Sequence, residues 1–225
     1  MRCGRSERSI ARRSSLQLLV ASVLLVGCAK PAESIAPTID RQLSDLLELL
    51  PGQYAGDAPK RMIPGAEMQR LVYRIKPVNA PQLGKRVLYY QVTRDTVEGP
   101  ILQAKVFLFA TEADRPANTM RTLVLEPSQA ESLRSGDPAD WRSLSPDRLM
   151  SFPETCYFTW TWLESGFLAE GSGKCSYDSK AFGQTIRPEM RYRITNDAFE
   201  FEETLLGEDG SAIVTTGGPL VAQRQ

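Results

Sequence analysis

Apolar residues fall along this chain in three successive patterns. The first is a run over residues 16–26, broken only by Gln17 and Ser22, and preceded by Arg2, Arg5, Arg8, Arg12 and Arg13 against the single acid Glu7. Such a run is too short to cross about 30 Å of hydrocarbon as a helix but suits the apolar core of a signal peptide. The second pattern has a helical period. Over residues 38–50, Ile39, Leu43, Leu46, Leu47 and Leu50 share one face, Thr38 is placed to cap the N-terminus, and Pro51-Gly52 ends the run. The spacing predicts an amphipathic helix whose apolar stripe plugs a sheet.

From there the period changes to two. In residues 69–76, Leu71, Tyr73 and Ile75 alternate with Arg70, Arg74 and Lys76. Residues 86–93, 101–110, 119–126, 155–164, 167–170, 189–195, 198–206 and 212–216 are likewise rich in branched and aromatic side chains between Gly, Pro and Asp clusters. These read as about nine strands. Residues 127–150 form a polar, helix-prone interlude in which Asp137-Pro138 and Ser145-Pro146 have the form of a cap followed by a first-turn proline. Many short strands with almost no intervening helix predict an all-β fold with minor helices, an antiparallel barrel or sandwich, and not a βαβ fold. Between residues 190 and 203, Met190, Tyr192 and Ile194 alternate with Arg191 and Arg193, and Phe199 and Phe201 with Glu200 and Glu202. A two-residue type I′ turn at Asn196-Asp197 would oppose Arg193 to Glu200, Arg191 to Glu202, Ile194 to Phe199 and Tyr192 to Phe201.

Composition narrows the chemistry. The leader ends Leu25-Val26-Gly27-Cys28, which resembles the bacterial lipobox, so residues 1–27 are expected to be a signal peptide and Cys28 a lipidated N-terminus. Residues 28–37, small, polar and proline-bearing, read as a tether, and 38–225 as the folded domain. The alternative is a secreted protein in which Cys28 is incidental. Ala29 rather than Asp follows the cysteine, which suggests the periplasmic side of the outer membrane. The leader removes five Arg and one Glu from 27 basic and 27 acidic residues, leaving 22 against 26. An acidic chain with no basic stripe is not expected to bind nucleic acid.

The sequence contains no histidine. That removes Ser-His-Asp and Cys-His catalysis and histidine zinc sites, and no metal-spaced cluster or phosphate loop is present. Once Cys3 leaves with the leader and Cys28 is lipidated, Cys156 and Cys175 remain. Outside the cytoplasm they are most simply a disulfide, with a free reactive thiol as the alternative. A hairpin turn at Ser165-Gly166 would oppose them directly, unless Gly171-Ser172-Gly173 bulges and shifts the register. Phe158, Trp160 and Trp162 share one strand face. That face is either barrel core or the wall of a cup for a flat apolar ligand, with Arg74, Gln91 and Lys105 as a polar rim.

The order of motifs resembles the CpcT/CpeT family, the phycobiliprotein chromophore lyases. Leu49-Leu50-Pro51-Gly52-Gln53-Tyr54 is similar to its L-x-G-x-Y/F opening, and residues 75–81 followed by Val87-Leu88-Tyr89-Tyr90-Gln91 to its next two strands. Its R-q-R-v-Y strand falls on Gln103-Ala104-Lys105-Val106-Phe107. Its cysteine–tryptophan–glycine block falls on Cys156, Trp160, Phe167, Gly173 and Cys175. The resemblance spans residues 46–216. It implies a calyx-like antiparallel β-barrel with an N-terminal amphipathic helix, often a homodimer, which in photosynthetic members receives an open-chain tetrapyrrole and helps form its thioether to a partner's cysteine.

Departures fall where a bilin would be held: Gln103 and Lys105 replace two arginines, Gln91 an acid, and residues 204–209 an Asp-Arg-Gly segment. The expected ligand-binding set is Tyr73, Arg74, Tyr89, Gln91, Gln103, Lys105, Trp160 and Trp162, with no catalytic residue assigned and no cofactor beyond a bilin or similar ligand. The expected function is a lipid-anchored barrel that binds a tetrapyrrole-like or other flat apolar molecule. Its alternatives are a true bilin lyase and a structural envelope lipoprotein without a ligand.

If Cys28 carries the lipid, fatty acid supplied to expressing cells will label the wild type, and Cys28→Ser will abolish both labelling and membrane fractionation. Labelling that persists in the variant would show that another residue is the anchor.

Overall fold

Alternation of inward and outward residues, continued over ten strands, closes this chain on itself. The computed structural model describes residues 38–60, 67–110, 118–135 and 137–225. The expected leader, Cys28 and the tether lie outside them. In chain order the elements are α1 (Ile39–Leu49), β1 (Gly52–Pro59), β2 (Met68–Pro77), β3 (Val87–Arg94), β4 (Ile101–Phe109) and β5 (Thr119–Val124). Then come α2 (Pro127–Ser135), α3 (Pro138–Arg142), a 3₁₀ turn (Pro146–Arg148), β6 (Met150–Ser151), β7 (Phe158–Leu163) and β8 (Gly166–Gly171). The chain finishes with β9 (Tyr177–Ser179), β10 (Gln184–Ile194), β11 (Ala198–Leu206), β12 (Ala212–Thr215) and β13 (Leu220–Arg224).

Antiparallel pairing runs β11-β13-β1-β2-β3-β4-β5-β7-β8-β10 and returns from β10 to β11, a closed ten-stranded barrel. Closure leaves no free edge in the ring. β12 extends β11, β9 pairs with the far end of β10, and β6 with β5.

Two apolar clusters lie on the two faces of this wall. Inside, Tyr54, Tyr73, Tyr90, Phe107, Phe158, Trp160, Tyr192 and Phe199 pack with Leu43, Leu46 and Leu50 of the α1 segment, so the helix is the plug its stripe predicts. Ring centroids in this group stand 5.0–6.3 Å apart, the spacing of favourable aromatic pairs. Outside, Val87, Tyr89, Ala104, Val106, Leu123 and Leu125 of β3, β4 and the β5 end pack under Ala130, Leu133, Trp141 and Leu144 of the helical interlude.

Local chemistry agrees with the sequence in some places and not in others. Asp137 caps α3 by accepting the Ala139 N–H at 2.7 Å, with Pro138 in the first turn. Thr38 and Ser145 make no side-chain cap bond, and Pro146 opens only a 3₁₀ turn. The β10–β11 register is the one predicted, with Arg193 opposite Glu200, Arg191 opposite Glu202, Ile194 opposite Phe199 and Tyr192 opposite Phe201. The turn is not type I′, because neither Asn196 nor Asp197 has positive φ. The Thr195 hydroxyl accepts the Asp197 and Ala198 N–H groups at 3.3 and 3.1 Å and shapes the loop instead.

Cys156 and Cys175 form a disulfide, Cα atoms 4.4 Å apart. The hairpin that carries them turns at Glu164-Ser165, not Ser165-Gly166, and pairs Leu163 with Gly166 and Phe158 with Gly171. Gly166 takes φ +143°, and a Cβ there would overlap the Ile194 carbonyl oxygen. A turn closed by the Cys175 N–H donating to the Ser172 carbonyl at 3.1 Å absorbs the extra residues and brings the two cysteines together.

β1 and β13 close the barrel, and their junction is held by one side chain. Arg224, opposite Tyr54 in the pairing, donates to the Leu49 carbonyl at 2.5 Å, the Pro51 carbonyl at 3.0 Å, the Asn196 carbonyl at 2.9 Å and the Tyr54 hydroxyl at 2.7 Å. Tyr54 in turn donates to the Leu50 carbonyl at 2.9 Å. A cation thus satisfies the open carbonyls at the C-terminus of α1, where the helix dipole favours it.

Arg224→Ala should lower unfolding stability by about 2 kcal/mol in urea titrations, since several charge-assisted bonds are lost and two partly buried carbonyls left open. Arg224→Lys should recover less than about half, because one ammonium cannot span the three carbonyls. A loss below about 0.5 kcal/mol in Arg224→Ala would show that the clamp is incidental.

Candidate functional site

Large rings fill the barrel near α1; further along the same strands the inward residues become smaller or polar. There β4 contributes Gln103 and Lys105, β5 Thr122 and Val124, β8 Gly171, β10 Pro188, Met190 and Tyr192, and β11 Glu203. They line a cavity of ≈ 170 Å³, whose remaining wall is Phe152, Tyr157, Phe158, Ser172, Tyr177 and the Cys156–Cys175 disulfide. No α1 residue reaches it. The disulfide ties the segments on either side of the β7–β8 hairpin beside the cavity.

Three inward polar groups define its chemistry. Lys105, 7% exposed, sits with its nitrogen 5.9 Å from the Tyr90 ring centre. No carboxylate among the described residues is within salt-bridge reach of it. Thr122, 8% exposed, has a buried hydroxyl with no hydrogen-bond partner. Lys105 pairs with Val124 and Phe107 with Thr122 across β4–β5, so the two residues are diagonal neighbours on the inner face. Glu203 is the acid. Desolvation raises its carboxyl above the usual range, against the pull of Lys105, and desolvation lowers the Lys105 ammonium, against the pull of Glu203. Burial also pushes Tyr73 up to about 12 and raises Tyr90 and Tyr192 well above their ordinary value, so all three phenols stay protonated at neutral pH.

The structure distributes the eight sequence-derived ligand candidates over four places. Gln103 and Lys105 line the cavity. Tyr73 and Trp160 are inside the barrel but packed in its aromatic core, where Tyr73 meets Tyr90 and Phe199 and the Trp160 indole N–H lies 3.5 Å from the Met120 sulfur. Arg74, Tyr89 and Gln91 belong to the outward-facing set of β2 and β3. Tyr89 is covered by Trp141 and donates to the Gln91 amide oxygen at 2.9 Å, and Gln91 donates to the Val97 carbonyl at 3.1 Å. Trp162 stands 39% exposed at the hairpin end of β7, away from the cavity lining.

Thr122, Met190 and Glu203 are cavity residues that the sequence reading did not single out. Glu203 had a signal: continuing the alternation of Phe199 and Phe201 by one step points it inward, whereas Glu200 and Glu202 face Arg193 and Arg191 outside.

No protein-family model matches this sequence, and no curated protein does. Among solved structures, the CRL protein of Arabidopsis, in selenomethionine form, is similar with a TM-score of 0.58 and 8% identity, over 84% of this chain and 100% of that one. The T-type phycobiliprotein lyase CpeT from Prochlorococcus phage P-HM1 aligns over 84% of this chain and 99% of its own at 8% identity, with a TM-score of 0.43 that carries no weight. The barrel is what is shared. The calyx-like fold that the sequence resemblance implied is the fold observed.

A raised Glu203 means the folded state disfavours its ionised form. That penalty is complete above the folded value and vanishes below the unfolded one. Glu203→Gln should therefore unfold at higher urea than wild type at about pH 8, and the gap should close towards pH ~4. A gap that widened on acidification would contradict the assignment of Glu203 to a desolvating site.

Proposed function

We propose that this protein is a lipid-anchored binding cup that takes the flat apolar part of a small molecule into the cavity and presents the molecule's oxygen-bearing head to Lys105, Thr122 and Gln103. The observation that carries the reading is the buried Thr122 hydroxyl, which has no hydrogen-bond partner, on a cavity that the Lys105 side chain also lines with no carboxylate among the described residues in salt-bridge reach. Buried polar atoms in native proteins are ordinarily satisfied, and a ligand oxygen would satisfy both. Apolar walls from Val124, Phe152, Phe158 and Met190 supply the affinity, and the few polar groups the orientation. The anchor is supported by the Leu25-Val26-Gly27-Cys28 leader end.

Size limits the ligand. At ≈ 170 Å³ the cavity is smaller than the roughly 300–1,000 Å³ of sites that engulf a drug-sized molecule. One ring system fits, so an open-chain tetrapyrrole would insert a terminal ring and leave the rest at the mouth. Lyase chemistry on a partner's cysteine would use the same cup with the acceptor docked outside it.

Calorimetric titration of the full-length protein in detergent with naphthoate, a flat bicycle bearing one carboxylate, should give saturable micromolar binding. Lys105→Met should weaken it at least about tenfold, and Trp162→Ala should leave it unchanged. Biliverdin should bind with a shifted absorbance band if a tetrapyrrole ring enters. Failure of both compounds to saturate would leave the barrel a structural envelope protein.

A further inference from the structure

Lys105 is set apart from the other described lysines by where it sits. Lys60, Lys85, Lys174 and Lys180 are exposed, and Lys76 lies on the outer wall near the Tyr89 and Trp141 rings. Only Lys105 among the described residues presents an amine to the cavity. An arginine at this position would stay charged whatever surrounded it, whereas lysine can lose its proton, and the neutral amine is a nucleophile.

We infer that Lys105 captures a carbonyl ligand covalently, its ε-amine condensing in the cavity with the aldehyde of a flat apolar molecule to form an imine. The inference rests on the binding-cup reading and assigns the ligand's head to a reactive carbonyl. The surroundings supply each part of the reaction. Aromatic and aliphatic walls hold the ring. The unpartnered Thr122 hydroxyl, diagonal to Lys105, is placed to donate to the carbonyl oxygen and polarise it. Glu203 completes the site as a proton carrier that lines the same cavity from β11, across the ring from β4.

In the first step the nitrogen lone pair forms the C–N bond, the carbonyl π pair moves to oxygen, and a proton passes from nitrogen to oxygen to give the carbinolamine. In the second, the C–O bond breaks as the oxygen takes a proton from the Glu203 carboxyl and leaves as water. The nitrogen lone pair forms the C=N bond, and the nitrogen's remaining proton returns to Glu203. Amine and aldehyde become imine and water, with no oxidant or reductant consumed. Burial favours the starting forms of both groups, neutral amine and neutral acid.

The test uses full-length protein in detergent, naphthaldehyde as the probe and cyanoborohydride to trap any imine near neutral pH, followed by peptide mass spectrometry. One reduced adduct on Lys105, formed at least about tenfold faster than on Lys85, Lys174 or Lys180, is expected. Lys105→Arg should abolish that adduct, and Glu203→Gln should slow its formation about tenfold or more. Wild-type mapping stands on its own even if a variant misfolds. Protein that binds naphthoate but is modified only on exposed lysines overturns the imine and leaves the cup intact. Protein that binds neither compound overturns the cup and the inference together.

Discussion

Ten strands closed in a ring aim every second residue at one axis, and what those residues are decides whether the interior is solid or hollow. At the α1 end they are large. Tyr54, Tyr73, Tyr90, Phe107 and Phe199 meet in a packed aromatic core that the helix seals. Further along the same strands the inward positions become Gln103, Lys105, Thr122, Gly171 and Glu203, which do not fill the same space, and a cavity opens. Packing at one end and a cavity at the other follow from a single alternation read along one set of strands. Arg224 keeps the closure in place by tying the last strand to the end of the helix that plugs the first.

The cavity's electrostatics follow from that geometry. Lys105 and Glu203 are both drawn away from water by the wall that holds them, and they influence each other without forming an ion pair among the described residues. A close salt bridge would have satisfied both groups and left nothing for a ligand. Outside, by contrast, Arg191 and Arg193 pair with Glu202 and Glu200 at 3.6 and 3.8 Å in solvent, where such pairs set strand register more than stability. The same hairpin therefore carries structural charges on one face and a site residue on the other.

How much of this was legible in the sequence depends on the strength of alternation. The amphipathic helix, the all-β class, the β10–β11 register and the cysteine pair were all readable, because each rests on periodicity, charge complementarity or counting. β1 and β13 were not. Gly52–Pro59 carries two glycines, two alanines and a proline, a poor strand by propensity, yet at Gly56 a side chain would overlap the Val221 carbonyl oxygen of the neighbouring strand. Tertiary closure demanded the residue that propensity disfavours. Of the cavity lining, Gln103 and Lys105 were legible through their strand. Arg74, Tyr89 and Gln91 were grouped with them because both faces of β2 and β3 carry long or aromatic side chains, and only the helical cover over Tyr89 tells the outer core from the inner wall.

The central question is whether the cavity, and not the outer surface, is where a flat molecule goes. A crystal structure of the protein soaked with naphthoate tests this most directly. The account predicts the bicycle between Phe158 and Met190 with its carboxylate within hydrogen-bond distance of the Lys105 nitrogen and the Thr122 hydroxyl. Density for the compound against exposed Trp162 alone, with the cavity holding only water, would contradict it.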